Sequence, residues 1–222
     1  CLLGPLVARL KRAEIPMPGG CVIGHRPIDL HVRALEGLGA EVQLSGGIVK
    51  VDGSNISGNS IFIGGRHGST VTGTANALML AVLTPGCTIL EGSACEPEIT
   101  DLCHMLRKMG ANIEGVGSHL LKVEGVEKLN GCQHMVIPDR IEAGTYILAG
   151  AITGGKLTIE GINAAHMGSF LDLLKTAGLH LNYRNQSIKT TENLNLSPLE
   201  VVTLPFPGFP TDLQAQICAL AS

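Results

Sequence analysis

Two side chains stand out as able to carry proton chemistry: a cysteine in a loop of glycine and proline, and an aspartate far downstream. Cys21 lies in Pro16-Met17-Pro18-Gly19-Gly20-Cys21-Val22-Ile23-Gly24-His25-Arg26-Pro27. Three prolines and three glycines exclude a regular helix or a central strand there. The stretch is therefore a loop, and the glycines leave the thiol little steric shield. His25 and Arg26 are near in sequence, and a nearby cation lowers a thiol pKa. This is the setting of a reactive thiol, and a structural loop cysteine is the competing reading. Asp212 precedes Leu213-Gln214-Ala215-Gln216, which reads as a helix start, so on its own it is first of all a candidate N-cap. Pro27-Ile28-Asp29-Leu30-His31 opens an amphipathic helix. Proline suits its first turn, and Asp29 suits the positive helix end. The free N–H groups of that end can bind an anion or a nucleotide edge. Plain capping explains the same residues equally well.

These residues must be held by a repeated frame. Leu38-Gly39-Ala40, Met109-Gly110-Ala111 and Ala177-Gly178-Leu179 recur about every 70 residues. Each ends an amphipathic helix and leads into a strand, with glycine at the position that must take positive φ. Before Gly110, residues Ile99, Leu102, Met105, Leu106 and Met109 form one apolar helical face. Strand pairs follow, as in Ile48–Val51 and Leu120–Val123. A second helix type is small and apolar nearly all round: 74–83 leads to the strand 88–90, and 145–152 to the strand 157–159. Such helices are expected to be buried. Two helices and several strands per repeat predict an α/β fold of βαβαββ units, with sheets outside and helices within.

Composition narrows the function. Hydrophobic residues make up 45% of the 222, enough for a substantial core, and the net charge of −3 argues against a nucleic-acid partner. No apolar run reaches the roughly 18 residues that span a bilayer. Seven cysteines without CxxC spacing predict neither a zinc site nor a full disulfide framework. Reduced thiols in a cytoplasm are expected, with Cys87, Cys95, Cys103, Cys132 and Cys218 read as small buried hydrophobes. The chain opens on Cys1 and stops in an apolar helix-like run at Ala221-Ser222, so the expectation is a piece lacking both ends.

Pro-Gly-Gly-Cys-x-Ile-Gly-x-Arg-Pro-x-Asp-Leu-His, from Pro18 to His31, resembles the active-site loop of the UDP-N-acetylglucosamine 1-carboxyvinyltransferase family. The segments Leu3–Arg9, Glu96–Leu102, Val123–Leu129, Pro138–Glu142 and Phe209–Gln216 are similar to the same family, in order along nearly the whole chain. The resemblance implies an inside-out α/β barrel of two globular domains built from βαβαββ units. Residues 1–137 are then most of the catalytic-loop domain, and 138–222 part of the second. It implies transfer of the enolpyruvyl group of phosphoenolpyruvate to the 3-hydroxyl of UDP-N-acetylglucosamine, with release of phosphate, as the first committed step of peptidoglycan synthesis. Cys21 matches the family's general acid, which protonates the methylene carbon of phosphoenolpyruvate and is alkylated by fosfomycin; some members carry Asp there. Asp212 matches the carboxylate proposed as base at the sugar 3-hydroxyl. Arg26 matches a substrate-site arginine, whose planar fork suits phosphate or carboxylate. Pro27, Ile28, Asp29 and Leu30 match the uridine segment. Neither a metal nor an organic cofactor is implied.

The phosphate segment departs from the family pattern of Lys followed closely by Val-Ser-Val-Gly-Ala-Thr. Gly64-Gly65-Arg66-His67-Gly68-Ser69-Thr70-Val71-Thr72-Gly73-Thr74 is two or three residues longer. Arg66 stands for the lysine, with Thr70, Val71 and Thr72 expected to bind a diphosphate through backbone N–H groups. Ala143 stands where relatives often have Thr. The cations that clamp phosphoenolpyruvate in the family are absent, so residues 1–222 alone are expected to release no measurable phosphate. Two alternatives stay open: 5-enolpyruvylshikimate-3-phosphate synthase, and a non-catalytic UDP-sugar-binding paralog.

Overall fold

The computed structural model describes residues 1–19, 27–184, 186–191 and 196–222, with backbone only at Arg184. Its contacts divide the chain into two compact units, Cys1–Met135 and Val136–Ser222.

The first unit opens with helix α1 (Leu3–Leu10) and strand β1 (Arg12–Pro16). Helix α2 (Asp29–Gly37) and strands β2 (Glu41–Ser45) and β3 (Ile48–Asp52) follow. The three strands form an antiparallel sheet in the order β1-β3-β2. Next come β4 (Ser60–Phe62), α3 (Val71–Ala81), β5 (Cys87–Glu91), α4 (Pro97–Lys108), β6 (Asn112–Glu114) and β7 (Leu120–Glu124). This is a complete βαβαββ unit, with sheet order β4-β5-β7-β6 and a parallel β4/β5 pair. The second unit contains α5 (Arg140–Thr153), β8 (Thr158–Glu160), α6 (Gly168–Thr176), β9 (Leu181–Arg184) and β10 (Ser187–Thr190). A 3-10 turn at Thr211–Leu213 then runs into α7 (Gln214–Ala221). Its sheet order is β8-β10-β9. The orders β1-β3-β2, β5-β7-β6 and β8-β10-β9 are one pattern used three times.

The repeated glycine explains how each copy turns. Gly39, Gly110 and Gly178 have φ of 90°, 104° and 92°. The residue after each donates its N–H back to the carbonyl five residues earlier, Ala40 to Leu35, Ala111 to Leu106 and Leu179 to Leu174, at 2.9–3.0 Å. Each glycine donates to the carbonyl three residues earlier, at 2.9 Å. This pair of bonds satisfies the last helix carbonyls, and the apolar residues it joins are buried. Any side chain at the glycine would be strained at that φ.

Strand alternation sets the layers. In β3, Val49 and Val51 are buried while Ile48, Lys50 and Asp52 face solvent. In β7, Leu121 and Val123 are buried and Leu120 is exposed. Each sheet therefore has one inner face, and the helices lie against it. In the first unit α1, α2 and α4 all pack on α3, whose Ala77, Leu78, Leu80 and Ala81 are fully covered. The α1/α3 approach is so close that a Cβ at Gly4 would collide with the carbonyl oxygen of Asn76.

Three expectations are corrected. The apolar helix over 145–152 is not covered all round within its unit. Ile147, Leu148 and Ala151 face the core, but Tyr146 and Ile152 are about half exposed. The physical reason is that α3 has helices on several sides, whereas α5 packs on α7 and one sheet. Helix α2 begins at Asp29, so Pro27 precedes the helix instead of opening it. Among the cysteines read as buried hydrophobes, only Cys103 is fully buried, and burial pushes its thiol pKa up to about 11. Cys87 and Cys95 are half-buried, and Cys132 and Cys218 are exposed, Cys132 in an open connection and Cys218 on the outer side of α7.

Candidate functional site

The amphipathic pattern of α2 sends Ala34 and Leu35 into the core and leaves its first turn at the surface. Asp29 sits in that first turn and is exposed, as is Pro27, while Ile28 and Leu30 are half-buried. Three contacts bind α2 to α3 and to the segment that leads into it. Leu30 packs so tightly on Gly65 that a Cβ there would lie 2.9 Å from its methyl group. Arg33 donates from Nη1 to the Gly64 carbonyl at 3.1 Å. His31 lies between Thr72 and Asn76, with Nε2 3.3 Å from Thr72 Oγ1 and Nδ1 3.2 Å from Asn76 Nδ2.

The extra length of the 64–74 segment is taken up by a tight turn. Gly65 and Gly68 exchange backbone hydrogen bonds at 2.7 and 3.2 Å, closing a two-residue loop with Arg66 and His67 exposed at its tip. Gly68 has φ of 101°, which only glycine adopts freely. Thr70 then caps α3, its Oγ1 accepting from Gly73 N at 3.2 Å. Val71 and Thr72 form the first turn, where backbone N–H groups lack helical acceptors.

Pro27, Ile28, His31, Thr72 and Asn76 line one cavity of about 470 Å³, closed from the sheet side by Ile15, Pro16, Pro18 and Val49. Pro18 and Pro27 flank the cysteine loop, so the cavity lies at its two stems. Cys21 and Arg26 themselves lie outside the described residues. The structure thus brings together Pro27, Ile28 and Thr72, keeps Leu30 beside Gly65, and places Arg66 at a turn tip outside the cavity lining. A larger hollow of about 620 Å³ is lined by Arg12, Glu14, Glu41, Lys50 and Asp52. Leu6 and Leu10 of α1 and the inward-facing Ala13 and Val51 also line it, a Glu14–Lys50 pair lies at 3.3 Å, and none of the expected site residues is among them.

His31 and Asn76 were not singled out from sequence. Asn76 is almost fully buried in a helix whose other residues are apolar or threonine, which is a readable signal, because a buried amide needs partners. Its Oδ1 accepts from Gly4 N at 2.6 Å. Burial lowers the His31 pKa, and Asp29 opposes that shift.

In the second unit Asp212 lies in the 3-10 turn before α7 and is exposed. Its side chain makes no capping bond, and the residue at the N-cap position of α7 is Leu213. Capping, the reading that Asp212 would invite alone, is therefore not what it does. The turn is fixed around it: Leu213 packs on Gly144 of α5, and Gln216 Nε2 donates to Thr145 Oγ1 at 3.0 Å. Asp139 does cap, accepting from Ile141 N and Glu142 N at 2.7 and 3.2 Å, and Arg140 stands over the Phe206 ring at 5.8 Å. In this unit Asp139 therefore has a capping role and Arg140 a ring contact. Among the described residues no cluster of three His, Cys, Asp or Glu side chains is arranged to hold a metal ion.

The family model for EPSP synthase (3-phosphoshikimate 1-carboxyvinyltransferase) matches residues 1–222. A UDP-N-acetylglucosamine 1-carboxyvinyltransferase of Methylacidiphilum infernorum (isolate V4) is 49% identical over the whole chain, which covers 53% of that relative. The same-named protein of Akkermansia muciniphila is 48% identical over 99% of the chain and 52% of its own length. Among solved structures, the enolpyruvyl transferase NikO from Streptomyces tendae superposes with a TM-score of 0.84 at 23% identity, over 99% of this chain and 52% of that one. An EPSP synthase from Acinetobacter baumannii gives 0.63 at 22% identity, over 99% and 49%. These likenesses show the enolpyruvyl transferase fold. The chain spans about half the length of the curated relatives it matches.

Proposed function

The chain belongs to the EPSP synthase (3-phosphoshikimate 1-carboxyvinyltransferase) family, and on that footing we propose that the whole protein transfers the enolpyruvyl group of phosphoenolpyruvate to the 3-hydroxyl of UDP-N-acetylglucosamine, releasing phosphate. The observation that carries this choice of acceptor is identity of 48–49% along essentially the entire chain to relatives bearing that name. The fold neighbours at 22–23% identity speak only to architecture. The 470 Å³ cavity beside the cysteine loop supports the reading, because it joins the segment matched to uridine binding with the first turn of α3.

In this reading Asp212 takes the proton of the 3-hydroxyl as its oxygen attacks C2 of phosphoenolpyruvate, and Cys21 delivers a proton to C3. A C3 proton then returns to the Cys21 thiolate as phosphate leaves with the proton held by Asp212 and the double bond is restored, so protons balance across addition and elimination. Arg26, Pro27, Ile28, Asp29 and Leu30 belong to the UDP-sugar site, and Val71 and Thr72 offer N–H groups to its diphosphate. Arg66, exposed at its turn tip, engages ligand only as an outer cation. Thr70 serves the site by capping α3. Residues 1–137 act as most of the domain carrying the cysteine loop, and 138–222 as part of the second domain. The product serves as the first committed intermediate of peptidoglycan. The free cysteines among the described residues fit a cytoplasmic location, and no helix among those residues is long and apolar enough to cross a membrane.

The family name itself keeps one rival acceptor in play, shikimate 3-phosphate. Phosphate release by the whole protein is measured with phosphoenolpyruvate and either acceptor. Turnover is expected with UDP-N-acetylglucosamine and none with shikimate 3-phosphate; the reverse result would overturn the assignment. Tight binding of UDP-N-acetylglucosamine with no turnover would instead identify a non-catalytic relative.

A further inference from the structure

We propose that His31 is a positioning residue which, oriented by Asn76, directs the hydroxyl hydrogen of Thr72 toward an anionic oxygen of the diphosphate of a nucleotide sugar in the 470 Å³ cavity. The inference rests on the nucleotide-sugar reading above and adds residues to which that reading gives no role.

The direction of each hydrogen bond follows from one fixed donor. The Gly4 backbone N–H can only donate, so the Asn76 atom facing it at 2.6 Å is the carbonyl oxygen. The amide nitrogen of Asn76 must then face His31, and it too can only donate. His31 Nδ1 is therefore an acceptor and carries no proton. A neutral imidazole has its single hydrogen on Nε2, which donates to Thr72 Oγ1. With that lone pair engaged, the Thr72 hydroxyl has its own hydrogen to give elsewhere, and Thr72 is an exposed lining residue of the cavity. Protonating the ring would set two donors against each other at Nδ1, and its burial also resists the charge.

The ligand class follows from the neighbours. Thr72 is in the first turn of α3, where free N–H groups and the helix field favour negative charge. Thr70 Oγ1 accepts from Gly73 N in capping α3, and of the two threonines it is Thr72 that lines the cavity. A hydroxyl donor set among free N–H groups suits a phosphate oxygen rather than a sugar ring. The relay also ties α1, α2 and α3 together through Gly4, His31 and Asn76, so the donor is held by three packed helices rather than by a loop.

The test is calorimetric titration of the whole protein with UDP-N-acetylglucosamine, UDP and uridine. Thr72→Val, which keeps the shape and removes the hydroxyl, is expected to weaken UDP and UDP-N-acetylglucosamine binding about tenfold while leaving uridine unchanged. His31→Leu is expected to do the same, and the double variant to be no weaker than either single one. Thr72→Ser and His31→Gln, which keep a hydroxyl and an N–H donor, are expected to retain most of the affinity. Wild-type affinity in His31→Leu, fully additive losses, or an equal loss for uridine would overturn the inference, the last by showing general damage to the fold. Failure of the unaltered protein to bind UDP-N-acetylglucosamine would sink the functional reading instead.

Discussion

Exchange of Asp212 for Asn in the whole protein is expected to lower kcat by about a hundredfold to ten-thousandfold, the usual contribution of a positioned acid or base. Thermal midpoint and affinity for UDP-N-acetylglucosamine are expected to stay unchanged. The separation is sharp because Asn is the same shape as Asp and caps helices equally well. A capping role would leave the exchange silent, whereas proton removal would not survive it. The structure already weighs on this choice. Asp212 is exposed, sits in a turn whose position is set by Leu213 against Gly144 and by Gln216 on Thr145, and makes no cap bond. A carboxylate that no fold contact requires can be changed at little cost in stability. Unaltered turnover in Asp212→Asn, measured by phosphate release, would remove Asp212 from the chemistry and leave the base to be found elsewhere.

The frame was legible in sequence because its signals are local. Gly39, Gly110 and Gly178 announce helix ends through a backbone conformation that other residues resist, and all three adopt it. The apolar face of α4 is likewise carried by spacing alone, and Ile99 and Leu106 are buried as it requires. The reading failed where coverage depends on neighbours distant in sequence. The segments 74–83 and 145–152 look alike, yet Leu78 is fully covered while Tyr146 and Ile152 are exposed, because helices surround α3 and not α5. The cysteines show the same limit: composition marks them as small hydrophobes, but Cys132 and Cys218 fall on the open side of their elements.

The candidate site was legible in part for a related reason. Pro27, Ile28 and Asp29 are adjacent in the chain, so a motif can show them. The added length of the 64–74 segment was visible as well, but not that Gly65 and Gly68 close it into a turn carrying Arg66 away from the cavity lining. The contact of His31 with Asn76 joins two helices across more than forty residues, and only the folded chain reveals it. What sequence did offer was a polar residue out of place, Asn76 in a helix whose other residues are apolar or threonine. A buried amide of that kind marks a place where structure demands a partner.

Cys21→Ala in the whole protein is expected to reduce turnover by at least about a hundredfold, whereas Cys21→Asp is expected to keep much of it. Fosfomycin should label the unaltered protein at Cys21 in the presence of UDP-N-acetylglucosamine and leave both variants unmodified, read as the mass of the adduct. The asymmetry between Ala and Asp follows from the role. Protonating the methylene carbon of phosphoenolpyruvate needs a group that holds a proton at rest and releases it in the transition state. A thiol near its pKa and a carboxylic acid in a desolvated site can both do this, and a methyl group cannot. Alkylation depends on something else, the nucleophilicity of a thiolate, which a carboxylate largely lacks. Acid function and drug sensitivity should therefore part company at this one position. Equal turnover in Cys21→Ala and the unaltered protein would show that the proton comes from another group, and modification at a different cysteine would show that the loop thiol is not the activated one. The two stems of the loop, at Pro18 and Pro27, already border the cavity in which the acceptor is proposed to bind, so ligand in that cavity would reach the base of the loop directly. A labelling rate that rises with UDP-N-acetylglucosamine concentration would be the kinetic expression of that adjacency.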